Sequence, residues 1–174
     1  MEKGLAIITG ADGGMGQVIT AALAKEGYPV IMACLDPEKA ASICTRIQQE
    51  TGNMQIEVRA INLASLSSVN NFTGQLLKEG RPVSRLMNNA GILTTPVRKT
   101  EDGLETIVSV NYMAPYMLTR QLLPLMQPEC RIVNTVSCTY AIGRIEPDFF
   151  EKGKNGRFFR IPVYGNTKLA LLLF

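Results

Sequence analysis

The sequence predicts an α/β fold: a doubly wound parallel sheet with helices on both faces. Three observations carry that expectation. Short apolar runs alternate along the chain with longer segments of helical periodicity, the pattern of right-handed βαβ units. The apolar runs are continuous rather than alternating, as expected of strands buried on both faces. A glycine-rich turn, Thr9-Gly10-Ala11-Asp12-Gly13-Gly14-Met15-Gly16, joins the first run to the first helix. The 174 residues are enough for one domain, taken as 1–174, with a sizeable core.

The elements follow in order. Leu5–Thr9 is the first strand, bounded by glycines. Val18, Ile19, Ala22 and Leu23 recur at helical spacing, and Gly27 closes that helix. Val30–Cys34 is the second strand. A helix from Pro37 to about Glu50 follows, with proline in its first turn. Gln55–Ile61 reads as a third strand, and Ser65–Lys78 as a helix with Leu66, Val69, Phe72 and Leu76 inward. Val83–Met87 is a fourth strand. A long helix is expected from Glu101 to Met126, kinked at Pro115 and with Pro124 near its end. Arg131–Val136 is the fifth strand, Cys138–Ile161 a long irregular loop, and Pro162 opens a last helix to Phe174.

Composition removes several classes of function. With 46% apolar and 19% charged residues the chain is that of a soluble globular protein. A net charge of +3, with both signs interspersed, gives no case for nucleic acid. The absence of histidine excludes a Ser-His-Asp hydrolase and a His-ligated metal. Cys34, Cys44, Cys130 and Cys138 lack CxxC spacing, so neither a zinc site nor a disulfide framework is expected. Cys34 and Cys138 sit in apolar runs, where cysteine behaves as a small hydrophobe. No apolar run is long enough to span a bilayer and no targeting segment is visible, so a reducing cytoplasm is the expected compartment.

The motifs fall at strand C-termini or at the helix starts beyond them, where ligands bind in open parallel sheets. Gly10 permits the tight turn, Gly14 lets backbone approach a phosphate, and Gly16 allows close helix–strand packing. The amides near Met15 and Gly16 then face an anion, aided by the helix dipole. Tyr164 and Lys168 are four residues apart on a helix and share one face. A tyrosine hydroxyl is a poor base at neutral pH, but a nearby ammonium favours its phenolate.

Taken together, the glycine turn, Asn88-Asn89-Ala90-Gly91, Ser137 and Tyr164-Gly165-Asn166-Thr167-Lys168, in this order, resemble the short-chain dehydrogenase/reductase family over the whole chain. The resemblance implies a Rossmann-type sheet with strand order 3-2-1-4-5 and binding of NAD or NADP. It implies interconversion of an alcohol with a ketone or aldehyde, and a homodimer or homotetramer. In that reading Tyr164 is the general acid/base, Ser137 orients the substrate oxygen, Lys168 tunes Tyr164 and grips the nicotinamide ribose, and Asn111 supports a proton relay. Asn89, Ala90 and Gly91 line the cofactor, and Asn62 and Leu63 lie at the adenine. The family's acidic position at the end of the second strand corresponds to Cys34, and the next position is Leu35. Asp12 and Asp36 would repel a 2′-phosphate, which favours NAD; Asp36 also reads as a helix cap before Pro37.

Arg131-Ile132-Val133-Asn134, Gly143-Arg144-Ile145 and Thr167-Lys168-Leu169-Ala170 look most like the retinol-dehydrogenase-like branch. So does the insertion between Ser137 and Tyr164, with Phe149, Phe150, Phe158 and Phe159 among Lys152, Lys154, Arg157 and Arg160. Those phenylalanines either cover an apolar substrate, lie against a partner, or tuck onto the core. Relatives continue into further strands and a substrate lid, so a C-terminal part is expected to be missing. The alternative to an enzyme is a non-catalytic dinucleotide-binding or redox-sensing module.

Overall fold

The computed structural model describes residues 3–94, 98–147, 149–150 and 160–174. Its five strands are β1 (Leu5–Thr9), β2 (Val30–Cys34), β3 (Ile56–Ala60), β4 (Val83–Asn88) and β5 (Met126–Asn134). They pair in parallel as one sheet, in the order β3-β2-β1-β4-β5. The helices are α1 (Gly14–Lys25), α2 (Pro37–Thr51), α3 (Leu66–Glu79), the short α4 (Thr106–Val108), α5 (Ala114–Leu122) and α6 (Arg160–Leu173). Among the described residues no helix is long and apolar enough to cross a membrane.

Strand β1 shows why its sequence is apolar at every position. Leu5 and Ile7 join Val69, Phe72 and Leu76 of α3 and Leu118 and Leu122 of α5 in one core layer. Ala6 and Ile8 face the other layer, with Ala24 of α1 and Ala40, Cys44 and Ile47 of α2. Each fully buried Leu or Ile contributes roughly 1.5–3 kcal/mol, so a polar side chain at any of these sites would weaken the sheet at its centre.

The helix expected over Glu101–Met126 is divided, for tertiary reasons. Glu101 and Asp102 turn back to the start of α3: Ser65 Oγ donates to Glu101 Oε1, and the Leu66 amide donates to Asp102 Oδ2 at 2.9 Å. These carboxylates cap a neighbouring helix instead of opening their own. Glu105 then caps α4 by accepting from the Val108 amide at 3.0 Å. The kink expected at Pro115 appears as a π-helical turn, Ser109–Met113, directly before α5, where the proline occupies the first turn. Leu123–Leu125 tighten into a 3-10 turn, and Met126 already pairs with Val83. Strand β5 therefore begins at Met126 rather than Arg131 and ends at Asn134 rather than Val136.

The loop after β5 is less irregular than expected. Cys138–Ile142 form a 3-10 turn, so exposed Cys138 opens a turn and does not sit in a buried strand. Phe149 is 5% exposed and packs with Val108, Tyr112, Val163 and Ala170. That phenylalanine tucks onto the core, whereas Phe150 is largely exposed. Lys152, Lys154, Arg157, Phe158 and Phe159 lie outside the described residues.

Candidate active site

The glycine turn leaves β1 at Gly10, whose φ of 62° lies in the left-handed region and whose amide donates to Ala33 O at 2.9 Å. A Cβ on Gly16 would overlap the Gly10 carbonyl oxygen and come within 2.7 Å of Ala11 Cα. Only glycine lets α1 start this close to β1. At Gly14 a Cβ would meet no described atom within 4 Å. The N-cap residue Gly13 makes no side-chain capping bond, and the first turn carries no acidic residue. The first-turn amides, including those of Met15 and Gly16, are thus left for an anion.

Strand β4 is tied to this turn at its exit. Thr9 Oγ1 accepts from the amides of Asn89 at 3.0 Å and Ala90 at 3.1 Å. Asn89 Nδ2 donates to Thr9 O at 2.9 Å and Gly10 O at 3.3 Å, while its Oδ1 is buried with no partner among the described residues. Thr9 was not a candidate in the sequence. It opens the glycine motif in the sequence, but no role was assigned to its hydroxyl there.

Asn111 lies in the π-helical turn and is fully buried. Its Oδ1 accepts from the Ile92 amide at 2.8 Å, and its Nδ2 donates to Ile92 O at 2.9 Å and Thr167 Oγ1 at 3.3 Å. Thr167, also buried, donates to Tyr164 O at 2.7 Å. Asn111 therefore connects the segment after β4 to the helix that carries Tyr164.

Lys168 is 2% exposed, and its Nζ donates to Thr135 O at 2.7 Å. Burial pushes its ammonium below the ordinary lysine range. The Nζ stands 5.4 Å from the centre of the Tyr164 ring. A Cβ on Gly91 would fall 3.2 Å from that Nζ and 3.6 Å from Asn111 Oδ1, so this glycine makes room for the lysine head. Gly91, Asn111, Tyr164 and Lys168, distant in sequence, meet at one place.

Ser137 caps the 3-10 turn, its Oγ accepting from the Thr139 amide at 3.4 Å. Two glycines press that turn onto α6. A Cβ on Gly143 would be 2.6 Å from Gly165 O, and one on Gly165 would be 2.6 Å from Thr139 O. The Arg144 amide adds a bond to Asn166 Oδ1 at 2.7 Å. Gly143 and Gly165 were missed, although a glycine inside a helix next to Tyr164 was a legible sign of close approach.

At the other end of the crevice the candidates are dispersed. Asp36 caps α2, accepting from the Lys39 amide at 3.1 Å. Asn62 is exposed and its Oδ1 accepts from the Ala64 amide at 2.9 Å, an Asx turn. The Leu63 side chain belongs to the core, and its carbonyl accepts from Ser109 Oγ at 3.1 Å. Cys34 is fully buried, and burial together with the Asp12 carboxylate pushes its thiol up to about 12.

An uncapped helix start, an open face at Gly14 and a buried ammonium suit the anionic part of a dinucleotide lying across the strand ends, and Asn89 Oδ1, with no partner among the described residues, suits a hydroxyl donor on it. Fold and site together define a Rossmann-type domain. Residues 4–146 match the short chain dehydrogenase family, and the chain belongs to it. It is 36% identical to retinol dehydrogenase 12 of Mus musculus over 97% of this chain and 53% of that protein. It is 35% identical to retinol dehydrogenase 11 of Homo sapiens, again over 97% of this chain and 53% of the relative. The chain thus spans about half the length of these curated relatives. A crystal structure of an uncharacterized protein from Mycobacterium paratuberculosis superposes with a TM-score of 0.86 at 33% identity, over 99% of this chain and 60% of the other.

Proposed function

We propose that the chain carries the cofactor cradle and proton-transfer group of an NAD(P)-dependent oxidoreductase that interconverts an alcohol and a ketone or aldehyde. One observation carries this reading: the Lys168 ammonium is held in the interior on Thr135 O, 5.4 Å from the ring of Tyr164. Among the described residues the ammonium has one hydrogen-bond partner, a carbonyl; a lysine buried in this way is expensive to keep, which supports a part for it beside Tyr164.

The bound nicotinamide supplies or accepts the hydride. The first-turn amides of α1 take its pyrophosphate, and the segment Asn89–Gly91 lines its path. Ser137 Oγ orients the substrate oxygen, and Tyr164 Oη gives a proton to that oxygen in reduction or takes one in oxidation. Lys168 Nζ favours the phenolate and bonds ribose hydroxyls with its remaining protons. Asn111 holds the frame. The similar proteins are named for retinol, an apolar alcohol. Exposed Leu93 and Tyr140, on the segments that carry Gly91 and Ser137, suit an apolar substrate here as well. The acidic corner of Asp12 and Asp36 favours NAD.

The test is Tyr164→Phe, assayed with NADH and NADPH against a panel of apolar aldehydes and ketones. Removing the hydroxyl is expected to lower turnover about 10²–10⁴-fold while nucleotide binding, read by fluorescence, persists. Equal turnover in the variant refutes the role of Tyr164. Nucleotide binding by the wild type without turnover of any carbonyl favours the non-catalytic module.

A further inference from the structure

We propose that Asp12, inside the glycine turn, is the carboxylate by which this chain selects NAD over NADP. The inference rests on the reading that the domain binds a nicotinamide dinucleotide. With the pyrophosphate at the start of α1, the adenosine ribose lies beside the carboxyl end of β2, where a carboxylate that bonds its hydroxyls marks NAD sites.

Three side chains leave that strand end, and the one carboxylate among them already caps a helix. Cys34 turns inward, 0% exposed, as a neutral thiol beneath the turn. Leu35 points outward, 71% exposed, and offers no polar atom. Asp36 is engaged as the α2 cap, bonded to the Lys39 amide at 3.1 Å. Asp12 faces the same corner from the glycine turn. The turn is fixed to β2 by the Gly10 amide on Ala33 O at 2.9 Å. The Asp12 main chain is fixed in turn by Gln17 Nε2, which donates to its carbonyl at 2.7 Å. The Asp12 carboxylate interacts with the thiol of Cys34, the last residue of β2.

One cation beside the glycine turn is already held. Arg46 on α2 donates Nη2 to Gln17 Oε1 at 2.6 Å and pairs Nη1 with Glu50 at 3.1 Å. Lys39 is exposed on the first turn of α2. The corner therefore presents an anchored carboxylate and a guanidinium bound to other partners. A carboxylate accepts bonds from two ribose hydroxyls, whereas a 2′-phosphate of charge about −1.5 to −2 is repelled.

The experiment is a fluorescence titration of the full chain with NADH and with NADPH, for wild type, Asp12→Asn, Asp12→Ser and Asp36→Asn. The Asp12 variants keep the main-chain bond from Gln17, and Asn caps a helix as well as Asp does. Circular dichroism checks that each variant is folded, and the serine variant stands in if the asparagine variant is not. Wild type is expected to bind NADH about tenfold tighter than NADPH, a ratio that falls to within about threefold in the Asp12 variants and persists in Asp36→Asn. A ratio that collapses in Asp36→Asn but not in the Asp12 variants overturns the proposal. So does a wild type that prefers NADPH, which would mean Arg46 leaves Glu50 for the 2′-phosphate. Binding of neither nucleotide overturns the dinucleotide-binding reading itself, and the inference with it.

Discussion

Replacing Lys168 by methionine separates what this residue does for the fold from what it does for the site. The side chain is 2% exposed and its ammonium has Thr135 O as hydrogen-bond partner at 2.7 Å. Burying an ammonium carries an effective penalty of several kcal/mol, against which a charged hydrogen bond returns roughly 1.5–3 kcal/mol. Methionine keeps the length, removes the charge and leaves the Thr135 carbonyl without its donor, worth about 1–3 kcal/mol. With the penalty taken as about 5 kcal/mol and each of the two losses as about 2 kcal/mol, the balance is a net stabilisation of about 1 kcal/mol, or a rise of about 2–4 °C in Tm for a domain of this size. The pH dependence follows from the direction of the shift. Because the folded pKa lies below 10.5, the unfolded chain binds more protons between the two values, and wild-type stability rises with pH through that window. The variant lacks this rise, so its advantage is greatest near neutrality and shrinks as pH approaches 10.5. Parallel thermal melts from pH 7 to about pH 10 by circular dichroism measure both effects. A variant that melts several degrees below wild type, by an amount independent of pH, would refute the claim that the buried charge is a net burden. Its affinity for NADH should fall whichever way its stability moves.

Other consequences are as specific. Gly16→Ala drives a methyl into the Gly10 carbonyl, so its urea midpoint should drop by the equivalent of about 1–3 kcal/mol or more; an unchanged midpoint contradicts the packing of α1 on the turn. Gly165→Ala sets a methyl 2.6 Å from Thr139 O and should both destabilise the fold and lower turnover, because the turn carrying Ser137 must move off α6. Iodoacetamide in the folded state should label exposed Cys138 first and Cys34 last, since burial raises the Cys34 thiol to about 12. Peptide mass mapping reads the order, and equal labelling of the two would show that the end of β2 is open to solvent.

Sequence pattern was most informative where burial is complete. Val30–Cys34 has the bounds predicted for it because all five residues lie in the interior, and a continuous apolar run has no other stable place in a sheet of this kind. The pattern failed where tertiary partners decide. Nothing in Glu101-Asp102 signals that both carboxylates reach the start of α3, and without those caps the segment reads as helix. The start of β5 was hidden for a related reason: Met126–Cys130 contains Pro128 and Glu129, and only Met126 pairs with β4 before the register shifts and resumes at Arg131, so the segment lacks an apolar signature. In the site, the motif residues were legible as types at fixed spacings. The hydroxyls of Thr9 and Thr167 were not, because a buried threonine is distinguished only by its partners.

Those two threonines explain how distant motifs become one site. Thr9 fastens the exit of β4 to the glycine turn, and Asn111 fastens the residues after that exit to Thr167 and so to the backbone of Tyr164. On the other side Lys168 is latched to Thr135 just beyond β5, and Asn134 Nδ2 reaches Leu171 O at 3.4 Å while its Oδ1 accepts from Asn88 at 2.8 Å. Helix α6 is thus tied to the exits of both β4 and β5, and β4 is tied to the turn at the start of α1. A proton-transfer group has to be held to within a fraction of an ångström relative to the cofactor. In the proposed reading that distance is set by polar bonds that run from the glycine turn, through the residues after β4 and Asn111, to the backbone of Tyr164. The most damaging substitutions outside Tyr164 and Lys168 should therefore fall on this line of buried amides and hydroxyls, before they fall on the exposed rim of the crevice.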